Sequence, residues 1–133
     1  MMSAKNVEIV KESFEAYEQG GLDSLADRLA PEFEIGDRVV PEGSPAVKGP
    51  EALARTLAEL RDAFGEMRFR ALEFLDLGER VLVRVRIEGR ADLGELAIEE
   101  DIAHLYTLRD GLIAKLDIYR TWPEGRKAAG LER

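Results

Sequence analysis

The first half of the chain carries apolar residues at helical spacing, three or four residues apart. In the first such segment these residues are Val7, Val10, Phe14 and Tyr17. They share one face of a helix predicted over residues 4–19, with Ser3 as its N-cap and Gly20-Gly21 at its end. A short second helix is predicted over residues 22–29, because its leucines recur on one side and Pro31 ends it.

The middle of the chain predicts a strand, a loop and a third helix. Phe33 and Ile35 alternate with polar residues over residues 31–37, which is typical of a short strand. Residues 38–49 are rich in proline and glycine and predict a loop. The third helix is predicted over residues 50–65, because proline fits the first turn of a helix and the apolar residues that follow share one face.

The second half of the chain alternates with a period of two, which is typical of strands. The predicted strands are residues 67–77, 80–89, 95–109 and 112–122. Short linkers join them, and Asp110-Gly111 is a strong signal for a tight hairpin. These four strands therefore predict an antiparallel meander.

Helices followed by a meander indicate an α+β fold, with the helices on one face of a curved antiparallel sheet. The second strand supports a two-faced sheet, because Val81, Val83 and Val85 alternate with charged residues such as Arg84 and Arg86. A length of 133 residues fits a single domain over residues 1–133.

Composition excludes several kinds of site. The chain has no cysteine, so it forms no disulfide and no thiolate site, and its one histidine makes a zinc or copper site unexpected. A net charge of −8 disfavours nucleic acid and anionic membranes as partners. Neither a signal peptide nor a membrane-spanning apolar run is recognisable, and we expect a cytoplasmic protein.

Four segments together resemble the nuclear-transport-factor-2-like superfamily, in particular its SnoaL-like branch. They are "FEAYEQGGLDSLADRLAPEFEIGD", "KGPEALARTLAEL", "TLRDGLIAKLDIY" and "KAAGL". The resemblance implies a cone-shaped α+β barrel of cystatin-like topology, with three N-terminal helices on a strongly curved antiparallel sheet that encloses a pocket. It also implies a homodimer formed through the sheet and a small apolar ligand, steroid-like or polyketide-like. The protein is expected to need neither a cofactor nor a metal.

Ketosteroid isomerase, a relative in this superfamily, implies roles for particular residues. Its general base follows the first strand and corresponds to Asp37 in "EIGDR". Its protonated aspartate, which donates to the developing enolate, corresponds to His104, and a neutral imidazole can also donate one hydrogen bond. The tyrosine that assists there corresponds to Ser13, and Tyr17 lies one helical turn away.

Strand parity adds candidate ligand contacts. Tyr106 shares a face with His104, and by family analogy the face of the last strand that turns to the cavity carries Leu116, Ile118 and Arg120. SnoaL-type cyclases and epoxide hydrolases use an acidic residue at the position of Ile118. Asp117 falls on the opposite face, so a cyclase or hydrolase would require a displaced acid.

Each candidate also has a structural interpretation, and two main hypotheses remain open beside a polyketide cyclase or epoxide hydrolase with a displaced acid. Asp37 is equally a residue that caps a turn, His104 a buried wall residue, and Arg120 one half of a surface ion pair. The first hypothesis is a cofactor-independent isomerase that moves a proton α to a carbonyl through Asp37 and His104. The second is a ligand-binding or dimerisation module without chemistry.

Overall fold

The structure is a computed structural model that describes residues 2–36, 47–49, 51, 53–55, 67–89 and 101–131. Within these ranges the helices are α1, Met2–Ala26, and α2, Trp122–Ala128, and residues 51 and 53–55 are also helical. The strands are β1 Leu29–Ile35, β2 Val47–Lys48, β3 Met67–Asp76, β4 Arg80–Gly89, β5 Ile102–Arg109 and β6 Leu112–Tyr119. The predicted α+β fold is confirmed.

Helix α1 passes through Gly20-Gly21 without a break, so the predicted end at the glycine pair and the separate second helix are wrong. Each glycine weakens a helix by only about 1 kcal/mol, and tertiary packing can override that cost. Here Val10 near the start and Leu25 near the end are both buried. The chain then turns at Arg28, whose N–H bonds to the Leu25 carbonyl, and β1 begins two residues before the predicted strand.

The third helix can be followed only in part. Residues 51 and 53–55 are helical as predicted, and Leu53 packs against the main hydrophobic cluster. The rest of the predicted helix, residues 38–46 of the predicted loop and the strand segment 95–100 lie outside the described residues. Residues 47–48 of that loop form strand β2 instead.

The sheet has six strands in the order β2-β1-β6-β5-β4-β3. Strands β3 to β6 form the predicted antiparallel meander, and β1 joins it as a parallel neighbour of β6. The Asp110-Gly111 hairpin is confirmed: both residues have positive φ, 53° and 81°, as a two-residue turn of this kind requires.

The two faces of the sheet pack against different helices. The inner face meets α1 and includes Val81, Val83, Val85, Tyr106 and Leu116. The outer face meets α2 and includes Leu82, Ala103 and Leu105. Each face therefore has its own apolar cluster, and a residue's parity along β4, β5 or β6 decides which cluster it joins. No helix within the described ranges combines the length and apolar character needed to cross a membrane.

Candidate functional site

The polar centre of the inner face is a pair of residues on β5, His104 and Tyr106. They are two positions apart, so both side chains point toward α1. His104 lies opposite Val83 on one side and Ile118 on the other. Both residues are buried, with 7% and 8% of their surface exposed, and His104 Nδ1 lies 3.0 Å from Tyr106 Oη.

Aromatic rings surround this pair. The Phe14 ring on α1 is stacked on the imidazole, with centroids 6.3 Å apart and an interplanar angle of 27°. The Phe69 ring on β3 lies 6.4 Å from the imidazole, and Phe14 also meets the Tyr106 ring edge-on at 6.1 Å. Helix α1 and two strands therefore position the histidine together.

Burial favours the neutral form of both polar groups. Desolvation lowers the pKa of His104 from 6.5 to about 4, because the imidazolium loses its hydration inside the apolar cluster. The same cause raises the pKa of Tyr106 well above its ordinary value. The pair can donate and accept hydrogen bonds, and it carries no charge.

A groove of about 440 Å³ opens between α1 and β3 beside the pair. Phe14, Phe69 and Phe74 contribute its aromatic surface. The other residues that line it are Lys11, Glu15, Glu18, Arg70 and Ala71. Phe14 and Phe69 both line the groove and contact the imidazole ring, whereas His104 and Tyr106 are not among the lining residues.

The groove was not predicted from the sequence, and a β-bulge is one reason. Phe69 and Phe74 differ in parity, so strict alternation places them on opposite faces of β3. The register of β3 against β4 shifts between Ala71 and Glu73, and Phe74 then pairs with Val83 on the inner face. The aromatic surface of the groove depends on this one irregularity.

The remaining predicted site residues occupy different surroundings. The Tyr17 ring lies 6.5 Å from that of Phe69, near the groove. Leu116 is buried in the inner cluster and Ile118 packs against it. Arg120 is exposed, just beyond the end of β6.

Ser13 is buried in α1, and its hydroxyl donates to the Val10 carbonyl at 2.6 Å. Asp37, the predicted base, lies outside the described residues. The residue before it, Gly36, is held at the sheet by a 2.9 Å hydrogen bond from its N–H to the Leu116 carbonyl.

The buried carboxylates of the described part lie on the outer face. Asp117 has that orientation as predicted, with Lys115 Nζ 3.9 Å from its Oδ1. Asp101 accepts hydrogen bonds from the Nε atoms of Arg86, at 3.0 Å, and Arg84, at 2.7 Å. These bonds, that from Arg86 foremost, hold the pKa of Asp101 below its ordinary value. Across the described ranges, no three histidine or acidic side chains converge as a metal site would require.

Sequence comparison now identifies the family. Residues 10–116 match the SnoaL-like domain family. The chain belongs to this family. Among curated proteins, none matches this SnoaL-like chain.

Solved structures share the fold of this SnoaL-like protein. A candidate polyketide cyclase from Sinorhizobium meliloti is 25% identical with a TM-score of 0.66, over 84% of this chain and 93% of the other. A protein of unknown function with a cystatin-like fold from Xanthomonas campestris is 17% identical with a TM-score of 0.72, over 100% of both chains. A candidate ketosteroid isomerase from Kribbella flavida is 14% identical with a TM-score of 0.65, over 86% of this chain and 76% of the other. The resemblance to the SnoaL-like family is therefore confirmed, and the two structures under 25% identical show the shared fold.

Proposed function

We propose that this SnoaL-like protein binds a small, largely apolar carbonyl compound, steroid-like or polyketide-like, and moves a proton at the carbon next to that carbonyl. The observation that carries the proposal is the His104–Tyr106 pair, a neutral polar centre buried in an apolar, aromatic face beside a groove. Ligand sites commonly have this composition, with mostly apolar walls and a few polar groups that orient the ligand.

In this proposal His104 donates a hydrogen bond to the carbonyl oxygen of the ligand. Negative charge grows on that oxygen when the neighbouring carbon loses its proton, so the bond strengthens in the transition state. A neutral imidazole suits this role because it donates without first having to be protonated. The aromatic rings around His104 exclude water, which strengthens the interaction further.

Asp37 is the proposed base, as the resemblance to ketosteroid isomerase implies. Its carboxylate would take the proton from the α carbon, next to the carbonyl, and return it to the γ carbon, so that the double bond becomes conjugated with the carbonyl. This reaction needs no cofactor and no metal. Support comes from Gly36, which directly precedes Asp37. The hydrogen bond from its N–H to the Leu116 carbonyl holds this part of the chain beside β6.

The proposed ligand contacts are the remaining residues of the predicted set: Tyr17, Ser13, Tyr106, Leu116, Ile118 and Arg120. Support is strongest for Tyr106, Leu116 and Ile118, which join the same apolar cluster, and for Tyr17 beside the groove. Ser13 would have to release the Val10 carbonyl before it could bind a ligand, and Arg120 would act from the exposed end of β6.

A Δ5-3-ketosteroid is a suitable probe, because its conversion to the conjugated Δ4 isomer changes its ultraviolet absorbance. We expect conversion by the unmodified protein and a loss of about 100-fold or more in Asp37→Asn, the usual scale for removing a general base. Asp27→Asn is the matched control, because Asp27 is exposed outside the inner face. An unchanged rate in Asp37→Asn contradicts the assignment of the base.

A second candidate function is ligand binding without chemistry. The positions of the two buried aspartates in the described part of the chain favour it. Asp101 and Asp117 both face away from His104, so these residues supply no base to the inner face. This candidate predicts that the ketosteroid raises the melting temperature equally in the unmodified protein and in Asp37→Asn, with no conversion in either.

We also propose a homodimer formed through the sheet, as the family resemblance implies. The outer face also carries the Arg84–Asp101–Arg86 ion pairs, whose two arginine side chains are 40% and 50% exposed. Sedimentation equilibrium tests this part of the proposal: a mass near twice the 14.9 kDa of the chain supports it, and a mass near 14.9 kDa at all concentrations contradicts it.

A further inference from the structure

We propose that Tyr106 positions His104 by donating its hydroxyl proton to Nδ1, which fixes the imidazole in the tautomer that carries hydrogen on Nε2. The inference rests on the proposed function, in which His104 is a hydrogen-bond donor to the ligand. The tautomer decides that role, because an unprotonated Nε2 would accept a hydrogen bond and make His104 a candidate base instead.

The geometry allows one strong interaction between the two side chains. Tyr106 Oη and His104 Nδ1 are 3.0 Å apart, within hydrogen-bond distance. Phe14 and Phe69 contact the imidazole from α1 and β3, so the ring is packed between neighbours. Because Tyr106 bonds to Nδ1, the nitrogen that it leaves available is Nε2.

The two possible directions of the hydrogen bond leave different buried groups without a partner. If the Tyr106 O–H donates to Nδ1, the Nε2–H donor and the acceptor capacity of the tyrosine oxygen lack a partner among the described residues. If Nδ1–H donates instead, the tyrosine O–H and the Nε2 acceptor lack one. Each arrangement leaves one donor and one acceptor unused, so the strength of the donors and acceptors decides between them.

The acidity of the two groups favours Tyr106 as the donor. A phenol O–H is a stronger donor than a neutral imidazole N–H, and an unprotonated imidazole nitrogen is a stronger acceptor than a phenol oxygen. The neutral form of His104 is also the one that its burial favours. The pair therefore has a single donor left for a ligand, the Nε2–H group, which suits the carbonyl or enolate oxygen of the proposed ligand.

Tyr106 acts in this scheme through His104. Removing its hydroxyl should leave the apolar packing of its ring in place while both imidazole tautomers become populated. The same removal would weaken the donor that a ligand oxygen meets, without deleting the imidazole.

Nitrogen NMR of the ligand-free, ¹⁵N-labelled protein at pH 7 tests the inference directly. His104 is the one histidine of the chain, so its long-range ¹H–¹⁵N correlations need no further assignment. We expect the pattern of an unprotonated Nδ1 and a protonated Nε2. In Tyr106→Phe we expect the two ¹⁵N shifts to move toward each other, as exchange between tautomers requires.

Tyr119→Phe is the matched control, because it removes a tyrosine hydroxyl from the outer cluster and should leave the histidine pattern unchanged. A protonated Nδ1 in the unmodified protein overturns the inference, and so does an unchanged pattern in folded Tyr106→Phe. If Tyr106→Phe does not fold, the spectrum of the unmodified protein decides alone. These outcomes do not depend on a ligand, so a failure here is distinguishable from the failure of the ketosteroid to bind.

Discussion

Phe14 of α1 is stacked on His104 of β5, with the two ring centroids 6.3 Å apart. The same phenyl ring lines the groove between α1 and β3. Phe14 therefore contacts both the groove and the buried imidazole, and it contributes to the burial that lowers the pKa of His104. A side chain that the helical pattern assigns simply to the core has a second role here.

Shortening Phe14 should bring His104 closer to water. In Phe14→Leu we expect the pKa of His104 to rise from about 4 toward its ordinary value of 6.5, since solvent entering the space favours the imidazolium. NMR titration of the single histidine measures it. Phe74→Leu is the matched control, because Phe74 lies in the same groove but contacts Phe14 and not the imidazole. Equal pKa values of His104 in both variants would contradict this role.

The buried imidazole should also make stability depend on pH. The pKa of His104 is lower in the folded state, about 4, than in the unfolded state, about 6.5, so between these values the unfolded chain binds more protons. The free energy of unfolding should therefore fall as the pH drops from about 6.5 to about 4, by roughly 3 kcal/mol in all. Outside this window the contribution is constant.

Urea denaturation across this pH range, compared with His104→Gln, isolates the effect. The substitution leaves the other titrating groups in place, so the difference between the two proteins reports on the imidazole. We expect that difference to change by about 1.4 kcal/mol per pH unit in the steepest part of the window. Parallel pH profiles for the two proteins would show that His104 titrates normally in the fold.

Asp101 should stabilise the outer face through its two arginines. Its side chain is nearly buried and accepts charge-assisted hydrogen bonds from Arg84 and Arg86, so we expect Asp101→Asn to lower the free energy of unfolding by roughly 1–3 kcal/mol. Its pKa is lowered in the fold, so this stabilisation is present above the ordinary value of 3.8 and is lost as the pH falls through the folded-state value.

Glu32→Gln is the matched control for Asp101. Glu32 pairs with Arg109 at 2.9 Å, but both side chains are more than half exposed, at 54% and 62%. Exposed pairs contribute little, so the change should stay within about 0.5 kcal/mol. Equal effects of the two substitutions in chemical denaturation would contradict the special role of Asp101.

Gly125 lets α2 approach the sheet closely. A Cβ at this position would overlap the Cβ of Ala103 on β5. We expect Gly125→Ala to destabilise the protein by about 1–3 kcal/mol, despite the higher helix propensity of alanine. The double variant Gly125→Ala/Ala103→Gly removes the overlap and should recover most of the loss in thermal denaturation. No recovery would show that the cost has another origin.

The sequence predicted the outline of this fold because the relevant signals are local. Strand β4 has its predicted bounds, 80–89, and the Asp110-Gly111 turn fixes the register that places His104 and Tyr106 together on the inner face. The helix break at Gly20-Gly21 was predicted wrongly because glycine acts only as a weak local preference, which packing along α1 overrides.

The candidate site was less predictable because it depends on contacts between distant segments. Parity placed His104 and Tyr106 on one face, but the bond between their side chains and the stacking of Phe14 follow from the packing of α1 on the sheet. The bulge between Ala71 and Glu73 turns Phe74 inward, and strict alternation along β3 does not predict it. The contribution of Asp37 remains a prediction from the family resemblance.

The central claim is that His104 donates a hydrogen bond to the oxygen of a bound carbonyl compound. The most direct measurement is the ¹H and ¹⁵N resonance of the His104 Nε2–H group, recorded while a Δ4-3-ketosteroid is added. A saturable shift of this resonance, with the same midpoint as binding measured by calorimetry, is the result we predict. Saturable binding that leaves the His104 resonance unchanged, or the absence of any binding, would contradict the claim.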